Sequence, residues 1–293
     1  MIAPVTIKGR APAKINLNLE IVGRRSDGYH LLNSLFLPLQ WADELTLHIS
    51  PASTPIVSCQ VPERAELSGE GNLAHRAAVA YLRRGGLRGE IHIELKKNIW
   101  VAAGLGGGSS DAAITLKLLN QFYDALDTTD IQSLALELGA DVPYFLDPHP
   151  ANVTGIGEEI SPIKGFPKLH IVLVNPGRPL STAEVFRYNS AMPPKPGTTE
   201  PGMTERPTMS NVDSFWSNPG RWVHNDLEPA AFEMMKELHD IQEMLRDTGP
   251  AASGMTGSGP TLFGVYENDA KATQASRQLA RNSELKVVVS ETL

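Results

Sequence analysis

Gly104-Leu-Gly-Gly-Gly-Ser-Ser110 runs without a break into Asp111-Ala-Ala-Ile-Thr-Leu-Lys-Leu-Leu119. The second stretch carries a strong helical pattern, and the first supplies the glycines of a tight turn at the helix start. Such a junction gathers free backbone N–H groups and the positive end of a helix dipole at one point, which suits a phosphate group. Consecutive glycines let the backbone approach an anion without Cβ obstruction. The Ser109 and Ser110 hydroxyls can reach a phosphate oxygen or a magnesium ion. The stretch fits neither the Walker A pattern nor GxGxxG spacing. The competing reading is a flexible glycine linker before an ordinary helix.

Outward from this loop, Ala13, Ile15, Leu17 and Leu19 alternate with Lys14, Asn16 and Asn18, the period of a strand with one polar face. Leu45–Ile49 and Ile91–Leu95 repeat the alternation. Asn72 to Arg84 reads as a helix capped by Asn72, and about Asp130 to Leu138 as another, stopped by Gly139. His170–Asn175 is expected as a buried strand, Pro229 to Leu245 as a helix, and Leu262–Tyr266 and Leu285–Val289 as short strands around a last helix. Pro193 to Pro219, rich in Pro, Ser, Thr and Gly, is expected as a long loop. Helices and strands mix without strict βαβ alternation, so the class is α+β in two lobes.

Several polar residues stand out. Asp141, in Gly139-Ala-Asp-Val-Pro143, is a carboxylate suited to accept a hydroxyl proton, and equally a helix N-cap ahead of Val-Pro. Lys14 and Asn16 either line a site or face solvent on an edge strand. Within Asp27-Gly-Tyr-His30, Tyr29 can stack on a planar base and His30 can hydrogen-bond its edge, or they are a core tyrosine and a surface histidine. Gly254 to Gly259 is a second anion nest or a tight connection, and Gly155-Ile-Gly-Glu158 a hairpin turn.

The chain has 293 residues, 41% of them hydrophobic, enough for two compact domains. Net charge is −7 and the pI about 5.6, so bulk nucleic-acid binding and anionic-membrane binding lack an electrostatic footprint. No run of about 18 apolar residues occurs, and no signal-type segment opens the chain. Cys59 is the only cysteine, so no intrachain disulfide can form. The eight histidines show no HExxH and no cysteine clustering. A soluble cytoplasmic protein is expected, with no nucleic-acid or membrane partner.

Taken in order, Ala11-Pro-Ala-Lys-Ile-Asn-Leu17, Arg25–His30, Ala103–Ala113, Gly139–Pro143, Asn225-Asp-Leu-Glu-Pro229 and Gly257-Ser-Gly-Pro260 resemble the GHMP kinase superfamily over most of the chain. The glycine loop and the last motif are shared across that superfamily. The Asp-Gly-Tyr-His segment, the Ala-Lys-Ile-Asn-Leu start and Asn-Asp-Leu-Glu-Pro narrow the resemblance to one branch. That branch phosphorylates a cytidine diphosphate-linked methylerythritol on its 2-hydroxyl, in the non-mevalonate route to isoprenoid precursors.

The resemblance implies an N-terminal lobe, residues 1–160, like the second domain of ribosomal S5, and a ferredoxin-like C-terminal lobe, residues 161–293. It implies ATP and magnesium as cofactors, with Asp141 as catalytic base and Lys14 as its charged partner. Ala103, Gly104, Leu105, Gly106, Gly107, Gly108, Ser109 and Ser110 would wrap the ATP phosphates, Ser110 also touching magnesium. Asn72, Leu73 and Lys97 fall where the family holds the adenine nucleotide. Asn16 and Thr182 would contact the substrate. Tyr29 and His30 would recognise the cytosine, and Phe186 would stack on its other face. A monomer or weak homodimer is expected. Two departures from the family pattern are Trp100, where a proline usually precedes the glycine loop, and Ser26, where a proline usually precedes Asp-Gly-Tyr-His.

Overall fold

The computed structural model describes residues 4–192 and 214–293. The segment read as a long loop from Pro193 therefore lies, up to residue 213, outside the described residues. Two compact units are present, each assembled from separate stretches of chain. One holds Met1–Ala13, Trp41–Val101 and Gly106–Pro148; the other holds Lys14–Gln40, Ala102–Leu105 and His149–Leu293. The first two strands, β1 (Val5–Arg24) and β2 (His30–Ser50), contribute to both. The compact units thus follow a different partition from the lobes expected on either side of residue 160.

In the first unit, β3 (Pro55–Gln60) pairs parallel with β4 (Gly89–Lys96), and β4 pairs antiparallel with β2. The alternation read from the sequence sets the register. Leu45 faces Leu95, Leu47 faces Ile93 and Ile49 faces Ile91, all six buried, while Thr46, Glu94 and their neighbours turn outward. A one-residue slip would put that apolar row into water, so the pattern itself specifies the pairing.

Helix α1 (Leu73–Arg84) lies against β3 and β4 with Ala74, Ala77, Ala78, Tyr81 and Leu82 buried. Asn72 caps it, its side chain accepting from Ala74 N at 2.9 Å. Helix α2 (Gly107–Tyr123) packs on α1 and is buried on nearly every side from Ser110 to Leu116. A helix enclosed in this way tolerates few polar groups, which makes the buried Ser110, Asp111 and Thr115 notable. Thr115 returns its hydroxyl to the Asp111 carbonyl at 2.8 Å. Helices α3 (Thr128–Leu138) and α4 (Val142–Leu146) pack on α2. Helix α3 begins two residues earlier than expected, because Asp127 caps it by accepting from Asp130 N at 2.8 Å.

In the second unit, β5 (Ala151–Gly155) and β6 (Glu159–Pro162) form the expected hairpin, and β5 joins the start of β2. A four-stranded antiparallel sheet is built from β7 (His170–Asn175), β9 (Ala252–Met255), β10 (Leu262–Tyr266) and β11 (Lys286–Glu291), in the order β11-β7-β10-β9. Numbered by appearance in this sheet, the order is fourth, first, third, second, the ferredoxin-like arrangement. The intervening two-residue strand, β8 (His224–Asn225), pairs instead with β1.

Helices α5 (Thr182–Ala191), α6 (Glu228–Met234), α7 (Glu237–Arg246) and α8 (Asp269–Leu279) complete the unit. Val172, Val174, Val185, Phe232, Leu238, Ile241, Leu245, Leu262 and Tyr266 form its core with Ala272 and Ala275. The single helix expected from Pro229 to Leu245 is in fact two, broken at Met235, whose φ of −137° and ψ of 81° leave the helical region.

Candidate active site

The glycine loop has the backbone that an anion cradle needs. Ala102, Gly104 and Gly106 have φ of 51°, 75° and 71°, with ordinary φ between them, the alternation of hand on which anion nests are built. Gly106 occupies the N-cap of α2 and has no side chain to close it. The N–H groups of Gly107, Gly108 and Ser109 belong to the first helical turn, where the helix offers them no acceptor. Ser110 is fully buried, and among the described residues its Oγ has no hydrogen-bond partner. An unpartnered hydroxyl at that depth is costly unless a ligand atom completes it. These groups fit a phosphate, and Ser110 fits a metal bound to one.

Beside the loop lies a buried ion cluster. The Lys97 ammonium donates to Asp43 and, at 2.7 Å, to Asp111, with all three side chains at most 6% exposed. Asp43 also accepts from Asn98 N at 2.6 Å and from Ile99 N at 2.8 Å, pinning the chain as it approaches the loop. Burial works against the Lys97 charge, but the Asp111 and Asp43 carboxylates outweigh it and hold its pKa above the usual lysine value. Burial pushes the Asp111 carboxyl up to about 7, against the pull of Lys97. One cation serves two carboxylates, and among the described residues Asp111 Oδ1 has no partner. Lys97, expected at the nucleotide, thus has its ammonium committed to two carboxylates within the protein. Asn72 is likewise occupied, capping α1 and donating to the Leu67 carbonyl at 2.9 Å. Leu73 is half-buried, its Cδ1 beside Gly108.

Asp141 stands immediately before α4, but its side chain makes no capping hydrogen bond. Capping is therefore not what this side chain does in the fold.

In the second unit, Lys14 and Asn16 are not on a solvated edge. They are 4% and 2% exposed, on a strand flanked by β2 and β8. The Lys14 ammonium donates to Asn16 Oδ1 and sits 4.4 Å above the Phe36 ring. Asn16 Nδ2 donates to Ser34 Oγ at 2.8 Å, and Asn16 N donates to Thr256 Oγ1 at 2.8 Å. Thr256 in turn donates toward the Gly104 carbonyl at 3.3 Å, and Lys14 N donates to the Leu105 carbonyl at 3.0 Å. The start of the glycine loop is thus tied to Lys14 and Asn16 through Thr256. Asn225 secures the other side of that turn, donating to the Met255 and Gly257 carbonyls, each at 2.8 Å. Thr182 Oγ1 meets Ser258 Oγ at 2.8 Å.

Two of the aromatic candidates meet. His30 itself stacks on Phe186, ring centroids 5.0 Å apart and planes 28° apart. Tyr29 is 60% exposed and makes no ring contact among the described residues. One face of Phe186 is therefore taken by His30. His30 Nε2 lies 3.0 Å from Ser190 Oγ. Burial, helped by the nearby Arg24 charge, lowers the His30 pKa and favours the neutral ring.

Ser34, Thr256 and Ser190 were not singled out in the sequence, and Asn225 entered only as the first residue of the Asn-Asp-Leu-Glu-Pro motif. Thr256 lies inside the quoted glycine turn, and Ser190 follows Phe186 by one helical turn. Ser34 carries no local signal, since its partners Asn16 and Asn18 lie on another strand.

Residues 72–149 match the family described as GHMP kinases N terminal domain, and residues 211–284 match GHMP kinases C terminal. A 4-diphosphocytidyl-2-C-methyl-D-erythritol kinase of Chelativorans sp. (strain BNC1) is 38% identical over 92% of this chain and 90% of its own length. The kinase of that name from Syntrophotalea carbinolica is 37% identical over 93% and 94%. A crystal structure of 4-(cytidine 5'-diphospho)-2C-methyl-D-erythritol kinase superposes with a TM-score of 0.81 at 34% identity, covering 98% of this chain and 99% of that one. A homoserine kinase from Cytophaga hutchinsonii, 16% identical with a TM-score of 0.69, shares the fold. With this extent of identity along nearly its whole length, the chain belongs to the 4-diphosphocytidyl-2-C-methyl-D-erythritol kinase family of GHMP kinases.

Proposed function

We propose that this protein transfers the γ-phosphoryl group of ATP to the 2-hydroxyl of 4-diphosphocytidyl-2-C-methyl-D-erythritol, giving the 2-phosphate and ADP. The reaction is a step of the non-mevalonate route to isoprenoid precursors. Family membership supports the reaction, and the observation that carries it in this chain is the cradle at Gly104–Ser110 with its buried, unpartnered Ser110 hydroxyl.

The chain's own groups have distinct tasks. The N–H groups of Gly107, Gly108 and Ser109 hold phosphate oxygens at the start of α2. Asp141 orients the 2-hydroxyl and accepts its proton as the new P–O bond forms. Lys14, oriented by Asn16, offsets negative charge on the transferred group. Ser110 is the residue that would hold magnesium, which neutralises phosphate charge when bound. Thr182 contacts the substrate, and Tyr29 and His30 read the cytosine. Transfer is direct and in line, without a phosphoenzyme, so catalysis comes from positioning and charge stabilisation. The protein acts as a monomer or weak homodimer, without nucleic-acid or membrane partners.

The test is ADP release with ATP, magnesium and the cytidyl substrate, comparing the native chain with Asp141→Asn. Turnover should depend on the cytidyl substrate and fall by roughly 10² or more in the variant. Turnover that survives the substitution would remove Asp141 from the base role. No turnover of the cytidyl substrate by the native chain would overturn the reaction.

A further inference from the structure

Ser190 is the fourth residue after Phe186 on α5, and its Oγ touches two groups. It lies 2.9 Å from the Phe186 carbonyl oxygen and 3.0 Å from His30 Nε2. A hydroxyl has one proton and two lone pairs, and a carbonyl oxygen can only accept. Were the proton directed at His30, two oxygen lone pairs would face each other across 2.9 Å. The proton therefore goes to the Phe186 carbonyl, the usual back-bond of a serine in a helix. Ser190 Oγ is then an acceptor toward His30, so Nε2 must carry the hydrogen.

A neutral imidazole with hydrogen on Nε2 has a bare lone pair on Nδ1. Stacking on Phe186 fixes the plane of the ring, and among the described residues Nδ1 has no hydrogen-bond partner. We propose that Ser190 is a positioning residue that sets the tautomer of His30, and that this makes the base site select a 4-amino pyrimidine over a 4-oxo pyrimidine. The inference rests on the reading above in which His30 meets the edge of the cytosine. Cytosine presents a donor at its 4-amino group, which an Nδ1 lone pair can accept. Uracil presents a carbonyl acceptor at the same place, leaving two lone pairs opposed. The lowered His30 pKa keeps the ring from becoming a donor at both nitrogens near neutral pH.

Two measurements test this. In protein with 15N-labelled histidine, long-range proton–nitrogen correlation should show His30 protonated at Nε2 and bare at Nδ1, the signal being assigned by its loss in His30→Gln. In Ser190→Ala the two tautomers should mix, and in Ser190→Thr the native pattern should return. The kcat/KM ratio for cytidyl over uridyl methylerythritol diphosphate should drop about tenfold in Ser190→Ala, the worth of one neutral hydrogen bond, and recover in Ser190→Thr. Ser190 is on the exposed side of α5, so neither change disturbs the core. A native His30 protonated at Nδ1, or a ratio unmoved in Ser190→Ala, overturns the proposal. If the native chain fails to use the cytidyl substrate, the reaction itself is wrong and the selectivity falls with it. The nuclear magnetic resonance result separates that case, because it reads the tautomer without turnover.

Discussion

The Lys97 ammonium donates to the Asp111 carboxylate at 2.7 Å, joining the residue that follows β4 to the first turns of α2. The chain between them is the glycine loop. Asp43, on β2, takes the same ammonium and also the backbone of Asn98 and Ile99. Both ends of a glycine-rich segment are thereby fixed, which limits the conformational freedom that its glycines would otherwise allow. A loop that must present several N–H groups to one anion gains from being held in advance.

Removing the cation from this cluster should be far worse than removing a carboxylate charge. Lys97→Met leaves Asp43 and Asp111 buried together with no counter-ion, and a loss of about 3–5 kcal/mol is expected. Asp111→Asn keeps a one-to-one pair of Lys97 with Asp43 and should cost about 1 kcal/mol or less. Urea unfolding of both variants checks the order. Equal losses would mean that the cluster does not act as a charged unit.

The same cluster predicts a pH dependence. In the unfolded chain Asp111 titrates near 3.8, while burial raises it to about 7 in the folded protein. The folded state therefore holds this proton more tightly. Its stabilising contribution is fully present below the unfolded value and is lost as pH rises through about 7. The native chain should lose stability relative to Asp111→Asn between about pH 5 and pH 7, at no more than about 1.4 kcal/mol per pH unit. Paired urea titrations across that range provide the measurement. A difference that stays flat or grows in the opposite sense would show that Asp111 is ionised throughout.

Gly104 has a φ of 75°, and a Cβ there would collide with the Thr256 carbonyl oxygen. The obstacle is backbone rather than a flexible side chain, so the strain has no cheap relief. Gly104→Ala should cost about 1–3 kcal/mol. The Tm should fall by roughly 2–4 °C for each kcal/mol. The KM for ATP should rise in the same variant, because the loop shifts. Calorimetry showing an unchanged Tm would mean that the loop is free to move away from Thr256.

The sheet registers and the turns of the glycine loop were legible because their signals are local. Period two over Leu45–Ile49 and Ile91–Leu95 fixes which residues face inward, and glycine at 104 and 106 marks the turns. The Lys14–Asn16 network was not legible as buried. Its partners Ser34 and Thr256 lie 18 and 240 residues from Asn16, and a polar strand face looks the same whether water or a hydrogen-bond network covers it. The break at Met235 was invisible for another reason. Glu-Met-Met-Lys-Glu-Leu238 contains only good helix formers, so packing in the core, where Met234 and Met235 both contribute, overrides propensity. The stacking of His30 on Phe186 brings together side chains from β2 and α5, and no spacing rule foretells it.

Ser110 offers the sharpest separation of stability from function. Its Oγ is buried with no partner among the described residues, so the fold gains nothing from the hydroxyl and bears its desolvation. Ser110→Ala should therefore leave unfolding free energy unchanged or raise it by up to about 1 kcal/mol. If the hydroxyl meets a phosphate oxygen or a phosphate-bound cation, the same change removes an interaction with a charged group worth about 1.5–3 kcal/mol. That corresponds to a fall of roughly 10- to 100-fold in kcat/KM for ATP. Most surface or core substitutions move stability and activity together, whereas this one should move them apart. A variant that is both less stable and fully active would make Ser110 a packing residue, and would take from the glycine loop its most specific ligand.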